Sequence, residues 1–580
     1  MEAATGLIGR PGAPGEELEE GPQFDQKRYV STAGMQEEPI AAPVTRIETI
    51  GILLLFGAVY TLLGFRLIDL HVVNFDALDR LTRSFMVWYN DPPKLASIGF
   101  SLPPIGTLVL VPFAAVKGLV TSGLALPLSS AFFGAGALVF IDRMLAMGDM
   151  VRGARLMIVL LVGVNPMFAF YAMNGTGDAA HLMFASFGLF CLIGWGRNGS
   201  ARYLIGAGLA FSLAVLTRYE YVFWAIFIAF LVSATLTNKG RDKDEVEGSV
   251  IAYLAPIIYT LGIWFFLNSV VLGDPFAWIS QAGGSAPVNA ISSSAPDFAL
   301  GEAIGNALRV QLIFPVALIA LPLLLFSRAR EGIGGGLAAL IVISIGYSVA
   351  SAAVAGSVDV IELRNGLPTM VAGCAGIAWV YLRSEASRAL VWGITVAIGV
   401  VALPLAWSQM KTFPHQNLEE AFTRAIATGE DQEGTASRGG FVVGISPETE
   451  MANYIDDQDL DPNLILTDNA RTYGVIALTG QPELFFDRVD KGDIEWRSVL
   501  ANPQGKVEYM LVDRTEADLI LDEYPGADEG QFPGLDPVVS NDRYALLEVD
   551  EAAATTGAGA DAPATTAPPA DSTSAPPPSG

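Results

Sequence analysis

Apolar runs of about 17–25 residues, the length that crosses a bilayer as a helix, recur through the middle of this 580-residue chain. They fall near 48–70, 101–120, 123–141, 154–173, 178–196, 202–218, 220–237, 249–272, 306–327, 333–355, 366–382 and 389–408. A large water-soluble core could hide one or two such runs, but not about twelve. The span 48–409 is therefore read as an α-helical polytopic membrane domain of about 11–13 transmembrane helices. A long polar, acidic segment precedes the first run, so that run does not read as a cleaved signal peptide.

Charge divides the chain in the same way. The formal net charge of −26 is carried by the ends. Residues 1–47 hold 4 basic and 8 acidic side chains, residues 48–409 hold 20 of each, and residues 410–580 hold 10 basic and 32 acidic. With no basic face to neutralise phosphates, nucleic acid is excluded as a partner. Inside the neutral body, basic connections at Arg143/Arg152/Arg155, Arg197/Arg202, Lys239/Arg241/Lys243, Arg328/Arg330 and Arg383/Arg388 alternate with loops poor in Lys and Arg. The positive-inside rule makes these the cytoplasmic face of a multi-pass plasma-membrane protein. The loops around 172–178, 273–305 and 356–366 then face outward, as does everything after 409. Twelve full spans would return residue 410 to the starting side. One of 101–120 and 123–141 is therefore expected to be incomplete or re-entrant, or 202–237 to be divided differently.

The ends differ in kind. Residues 1–47 (GRPGAPGEELEEGP and onward) and 551–580 (rich in Ala, Thr, Pro and Ser) cannot bury enough to fold and read as disordered tails. Residues 410–550 alternate strand-like runs (FVVG, LILTD, VEYMLVD, YALLEV) with helical ones (PETEMANYID, ARTYGVIALTG), which predicts one small extracytoplasmic α/β domain. Thr467 and Asp468 end a strand before a helix; an ordinary Asp cap is the reading to prefer there. Cys191 and Cys374 both lie inside apolar runs, so no disulfide ties the loops. His71, His181 and His415 are scattered and suggest no metal cluster.

Ionisable groups near membrane depth are costly and mark function by default. Four segments stand out. Asp76 and Asp79 follow the first run and share a helix face at i, i+3, although Asp79 and Arg83 at i, i+4 would also make an ordinary surface pair. Asn165-Pro166 leads to Tyr171 and then to Asp178 and His181, which open a span that Asp178 could simply cap. Leu216-Thr217-Arg218-Tyr219-Glu220 places a base and an acid in an apolar stretch, where they could also lock two half-helices together. Asp359, Glu362 and Arg364 sit at the outer mouth of a late span ahead of Pro368, against the positive-inside pattern.

In order and placement these features resemble the GT-C superfamily of integral membrane glycosyltransferases that use polyprenyl-phosphate-linked sugars. Dolichyl-phosphate-mannose mannosyltransferases and aminoarabinose transferase-like proteins belong to it. The matching elements are the acidic motif after the first span, Pro103-Pro104, and Asn165-Pro166 through Tyr171-Ala172. Asp178, Leu216-Thr217-Arg218, Arg364 with Pro368, and Gly-Asp-Pro-Phe at 273–276 complete them. The likeness covers about 48–410. The chain departs from it in reading Asp76-Ala-Leu where many members have an Asp-Glu pair, and it lacks a Trp-Trp-Asp signature.

The resemblance implies an inverting transfer to an acceptor hydroxyl on the outer face, with a lipid, glycan or protein as acceptor. It implies Asp76 as general base, Asp79 in reserve, and Asp178 orienting the acceptor or holding a divalent cation (Mg or Mn) if one is used. Arg218 and Arg364 would meet the phosphate, with Glu220 and Glu362 positioning them and His181 lining the substrate site. A transporter or flippase of a polar lipid would use the same buried charges as a path, though no inverted repeat is visible. An assembly scaffold with an acidic outer domain is a third reading.

Overall fold

The computed structural model describes residues 40–550 apart from 101–102, 277–297, 384–387, 415–416, 436–442 and 459. Residues 1–39 and 551–580 of the expected tails, His415, the start of the expected FVVG strand and most of the 273–305 loop lie outside the described residues. The first helix, α1 (Arg46–Asp69), opens on a capping box. Thr45 Oγ1 accepts from the Glu48 amide at 3.2 Å, and Glu48 Oε2 accepts from the Thr45 amide at 2.6 Å.

After α1 the chain forms α2 (Phe75–Tyr89), capped by Asn74, with Ala77, Leu78, Leu81 and Phe85 buried along one face. The run at 101–120 is not a span. It folds into three short pieces, Pro104–Leu108, Val111–Ala114 and Lys117–Thr121. Pro103, Pro104 and Pro112 break the helix, and side chains of α2 take the carbonyls that the breaks release. Ser84 donates to Thr107 O at 2.9 Å, Trp88 to Val111 O at 2.8 Å and Tyr89 to Ala115 O at 2.6 Å. The run is apolar because it is packed beneath α2, not because it meets lipid.

The bundle continues with α3 (Ala125–Met147), α4 (Arg152–Gly163), α5 (Pro166–Tyr171), α6 (Asp178–Asn198), α7 (Ala201–Val215), α8 (Tyr221–Asn238) and α9 (Lys243–Leu272). It closes with α10 (Leu300–Val310), α11 (Val316–Phe326), α12 (Gly334–Ala355), α13 (Gly366–Arg383) and α14 (Arg388–Thr412). Among the described residues seven helices are long and apolar enough to cross a membrane: α1, α3, α6, α8, α9, α12 and α14. An eighth span arises if the pair at 300–326, bent by 102°, is counted as one. The expected run at 154–173 is broken at Asn165, whose side chain caps α5 while Pro166 takes its first position. Small residues let the helices close up: a Cβ on Gly208 would lie 2.1 Å from the Tyr253 carbonyl oxygen.

Residue 410 emerges at the end of the bundle opposite residue 46. Contacts across that end agree, since the Gln432 amide donates to Leu70 O at 3.1 Å and His71 Nδ1 lies 2.8 Å from Asp431.

Beyond α14 come α15 (Asn417–Thr428), α16 (Ser446–Asp456) and α17 (Asn469–Thr479), with a five-stranded sheet. Its strands are β1 (Ile465–Thr467), β2 (Phe485–Phe486), β3 (Tyr509–Asp513), β4 (Leu535–Ser540) and β5 (Tyr544–Val549), in the order β2-β1-β3-β5-β4. β1 runs parallel to β2 and β3; β5 is antiparallel to β3 and β4. The expected strands in LILTD, VEYMLVD and YALLEV and both expected helices are present. Asp468 caps α17 by accepting from the Ala470 amide at 3.2 Å, so its role is the ordinary one. This domain sits on α2: Thr82 donates to Tyr473 O at 2.9 Å, and the Arg543 guanidinium lies 5.4 Å from the Phe75 ring centre.

Candidate active site

Three breaks in the helical bundle meet at the end that carries the α/β domain. The first lies between α7 and α8. There Thr217 donates back to Leu213 O at 2.7 Å, while Leu216 O is released from the helix and accepts from the Ile105 amide at 3.0 Å. The Pro103-Pro104 segment is thereby fastened to the Leu216-Thr217-Arg218 element, 110 residues away in sequence. The second break precedes α6, where Gly177 lets its backbone approach Gly106; a Cβ there would lie 3.2 Å from the Gly106 Cα. The third precedes α13, at Glu362 to Asn365.

Each break delivers charge. Asp178 stands in the first turn of α6, where the unpaired helix amides favour a carboxylate. Its Oδ1 accepts from Arg218 Nη1 at 2.7 Å. Arg218 also pairs through Nε with Glu220, so it ties the α7–α8 break to the start of α6. Arg364 pairs through Nε with Glu362, and it interacts electrostatically with Asp178, Tyr171 and Asp76. Among the described residues these pairings leave both Nη groups of Arg364 and Nη2 of Arg218 without a hydrogen-bond or ion-pair partner, and the Arg364 side chain is 30% exposed. The arrangement can offer bidentate guanidinium donors to an anion while keeping its own carboxylates balanced.

The two acids of the first loop separate cleanly. Asp79 accepts from Arg83 Nε at 2.8 and 2.9 Å, the ordinary i, i+4 pair. Asp76, one turn earlier on α2, is exposed and has no hydrogen bond or ion pair among the described residues. His181 is fully buried. Its Nδ1 lies 3.5 Å from Asp178 Oδ1 and its ring 5.5 Å from that of Tyr221, so it packs against Asp178 rather than lining an open site.

A small pocket adjoins the cluster, lined by Glu220, Tyr221, Phe223, Tyr347, Asn365 and Pro368 among others. Phe223, 52% exposed on the outside of α8, forms its rim, so the cavity opens sideways between α8 and α12. One site residue was not foreseen in the sequence. Glu419, in the first turn of α15, is buried and accepts from the Tyr171 hydroxyl at 2.5 Å. It lies in the fields of Glu362 and Arg364, and burial holds its carboxyl above the usual carboxylate range despite that hydrogen bond. Two adjacent glutamates opening an amphipathic helix give no signal that one of them turns inward. Among the described residues no group of three or more His, Cys, Asp or Glu side chains is placed to hold a metal ion.

No family model matches the sequence, and no curated protein matches it. Solved structures do. ArnT from Cupriavidus metallidurans bound to undecaprenyl phosphate superposes with a TM-score of 0.52 at 14% identity, covering 87% of this chain and 98% of that one. The apo state of the same enzyme gives 0.51 at 16% identity with the same coverage. At such identities the likeness is one of fold, and it extends over nearly the whole of ArnT. The chain therefore shares the fold of ArnT.

Proposed function

We propose that this protein is a membrane glycosyltransferase. It moves a sugar from a polyprenyl-phosphate donor to an acceptor hydroxyl on the outer face of the plasma membrane, with inversion at the sugar carbon. The observation that carries the reading is the meeting of Asp178, Arg218, Glu220, Glu362 and Arg364 at one end of the bundle, beside a cavity open to the side. The fold shared with a protein crystallised with undecaprenyl phosphate supports it.

The chemistry follows from the open groups. The donor phosphate meets the free Nη groups of Arg364 and Arg218, which stabilise the negative charge that grows as the sugar–phosphate bond breaks. The prenyl tail leaves through the lateral opening. Asp76 takes the proton of the acceptor hydroxyl as its oxygen attacks the sugar carbon, and the phosphate departs with the bonding electrons. Being unpaired and exposed, Asp76 suits a base; Asp79, held by Arg83, serves only in reserve. Asp178 positions Arg218 and, through it, the acceptor side of the site, with His181 steadying Asp178. A lipid, a glycan or a protein hydroxyl would serve as acceptor, and no step is routed through a cation.

The test is transfer in membranes from a radiolabelled lipid-linked sugar. Asp76→Asn should lower turnover by about 10²–10⁴-fold, the usual worth of a general base. Unchanged turnover would remove Asp76 from that role.

A further inference from the structure

The end of the bundle away from the proposed active site holds a second polar cleft, of about 1240 Å³. Its lining includes Asn238, Lys239, Ser327, Arg328, Arg330 and Glu331, three bases against one acid. Arg241 and Arg383 stand within electrostatic reach of Lys239 and add to the positive field, although Arg241 also pairs with Glu245 at 3.5 Å. Neither Lys239 nor Arg330 has a carboxylate partner among the described residues. Like charges gathered in this way repel one another unless an anion joins them.

The cleft is built rather than incidental. Trp379 Nε1 donates to Ala329 O at 2.9 Å and to Glu331 O at 3.3 Å, which pins the loop carrying Arg328 and Arg330 to α13. Gly332 turns that loop at φ +69°, where a side chain would meet the Trp379 ring at 2.9 Å. The basic groups are thus held in place before any ligand arrives.

Depth identifies the ligand. α8 joins the two sites, with Glu220 just before its first residue and Lys239 just after its last. At 1.5 Å per residue its 18 residues span about 27 Å, close to the hydrocarbon thickness of a bilayer. If one end of α8 meets the headgroups of one leaflet, Lys239 meets those of the other. Beside the cleft, Leu325 and Phe326 end α11 with 38% and 87% of their surface exposed, an apolar rim that suits an acyl chain. We propose that this cleft binds the phosphodiester headgroup of an anionic phospholipid in the leaflet opposite the proposed active site. Lys239 and Arg330 supply charge, and the Asn238 amide an additional donor. Basic pockets between helices are suited to such headgroups. The inference rests on this cleft alone, and it stands whether or not the chain transfers sugar.

The experiment is native mass spectrometry of the full-length protein released from nanodiscs of mixed phosphatidylglycerol and phosphatidylcholine. The wild type should keep phosphatidylglycerol in preference to phosphatidylcholine. Lys239→Gln with Arg330→Gln should retain about 30-fold less of it, in line with the worth of two surface cations. Both residues are exposed, so the double variant should melt like the wild type in phosphatidylcholine alone. Equal retention of the two lipids by the wild type would overturn the proposal without recourse to any variant. So would displacement of the bound lipid by inorganic phosphate at comparable concentration, which would make this a free-phosphate site.

Discussion

The bundle carries a buried ionic cluster at each end, and the two are built to different rules. At the end where α1 begins, the fully buried Arg155 meets three partners. Nη1 donates to Ala42 O at 2.6 Å, Nη2 to Glu48 at 2.8 Å, and Nε lies 2.6 Å from Asp142, while Arg152 reaches the same Glu48 at 2.6 Å. Two acids meet two bases, with Asp142 beside Nε in ion-pair contact but outside hydrogen-bond geometry, and no cavity opens beside them among the described residues. At the other end, among the described residues, Arg364 engages one nitrogen and leaves two, Asp76 has no hydrogen-bond or ion-pair partner, and a cavity opens alongside. The same residue types serve as a sealed joint in one place and as an open set of donors in the other. Buried charge alone therefore does not mark a site; unspent hydrogen-bonding capacity next to accessible space does.

Substitutions can separate the two. The largest expected effect is on folding, at the sealed end. Arg155→Ala strands Asp142, leaving Glu48 to Arg152 alone, and should cost about 3–5 kcal/mol, the usual penalty for breaking a buried ion pair. It would be seen as lost folded yield and a lower melting temperature, with the surviving protein transferring sugar at close to the normal rate. A stable Arg155→Ala protein that had lost turnover would break the comparison. At the open end the balance should reverse. Arg364→Ala should lower turnover by about 10²–10³-fold, yet change stability by no more than about 1 kcal/mol because the side chain is partly exposed.

A smaller effect tests whether the C-terminal α/β domain belongs to the site. Tyr171→Phe and Glu419→Gln should each cost about 1–3 kcal/mol for a buried hydrogen bond. A double-mutant cycle on thermal unfolding should show that the two costs are shared rather than additive. The smallest effect is on pH. Burial pushes the Asp518 carboxyl up to about 6 in the folded C-terminal α/β domain. As pH rises from about 4, the unfolded chain loses this proton first, so the domain loses stability up to about pH 6 and levels off above. Hydrogen exchange at β3 should quicken across that window, and Asp518→Asn should flatten the response.

Much of this was legible in the sequence, for reasons that particular residues make plain. Span length and loop charge gave the bundle, and membrane depth singled out Asp178, Arg218, Glu220, Glu362 and Arg364, which the fold gathers at one end. That Asp178 and Arg218 pair, 40 residues apart, follows from the α7–α8 break folding back on α6 and could not be read in advance. The run at 101–120 misled because an apolar segment under an amphipathic helix has the composition of one in lipid; its three prolines were the contrary signal. Arg155 looked like an ordinary cytoplasmic loop base, since loop charge does not distinguish a solvated arginine from a buried one. Glu419 was hidden by an equally acidic neighbour, and β2, two residues long, is too short for any pattern.

The account turns on the claim that the open cluster has two separable parts, Arg364 for the lipid phosphate and Asp76 for the proton. The direct test is equilibrium binding of a polyprenyl phosphate to the wild type, Arg364→Ala and Asp76→Asn side by side, with turnover measured on the same preparations. Asp76→Asn should bind like the wild type and fail to transfer, whereas Arg364→Ala should bind at least about tenfold more weakly, one charge-assisted contact being worth about 1.5–3 kcal/mol. Undiminished binding by Arg364→Ala, or loss of binding by Asp76→Asn, would contradict it.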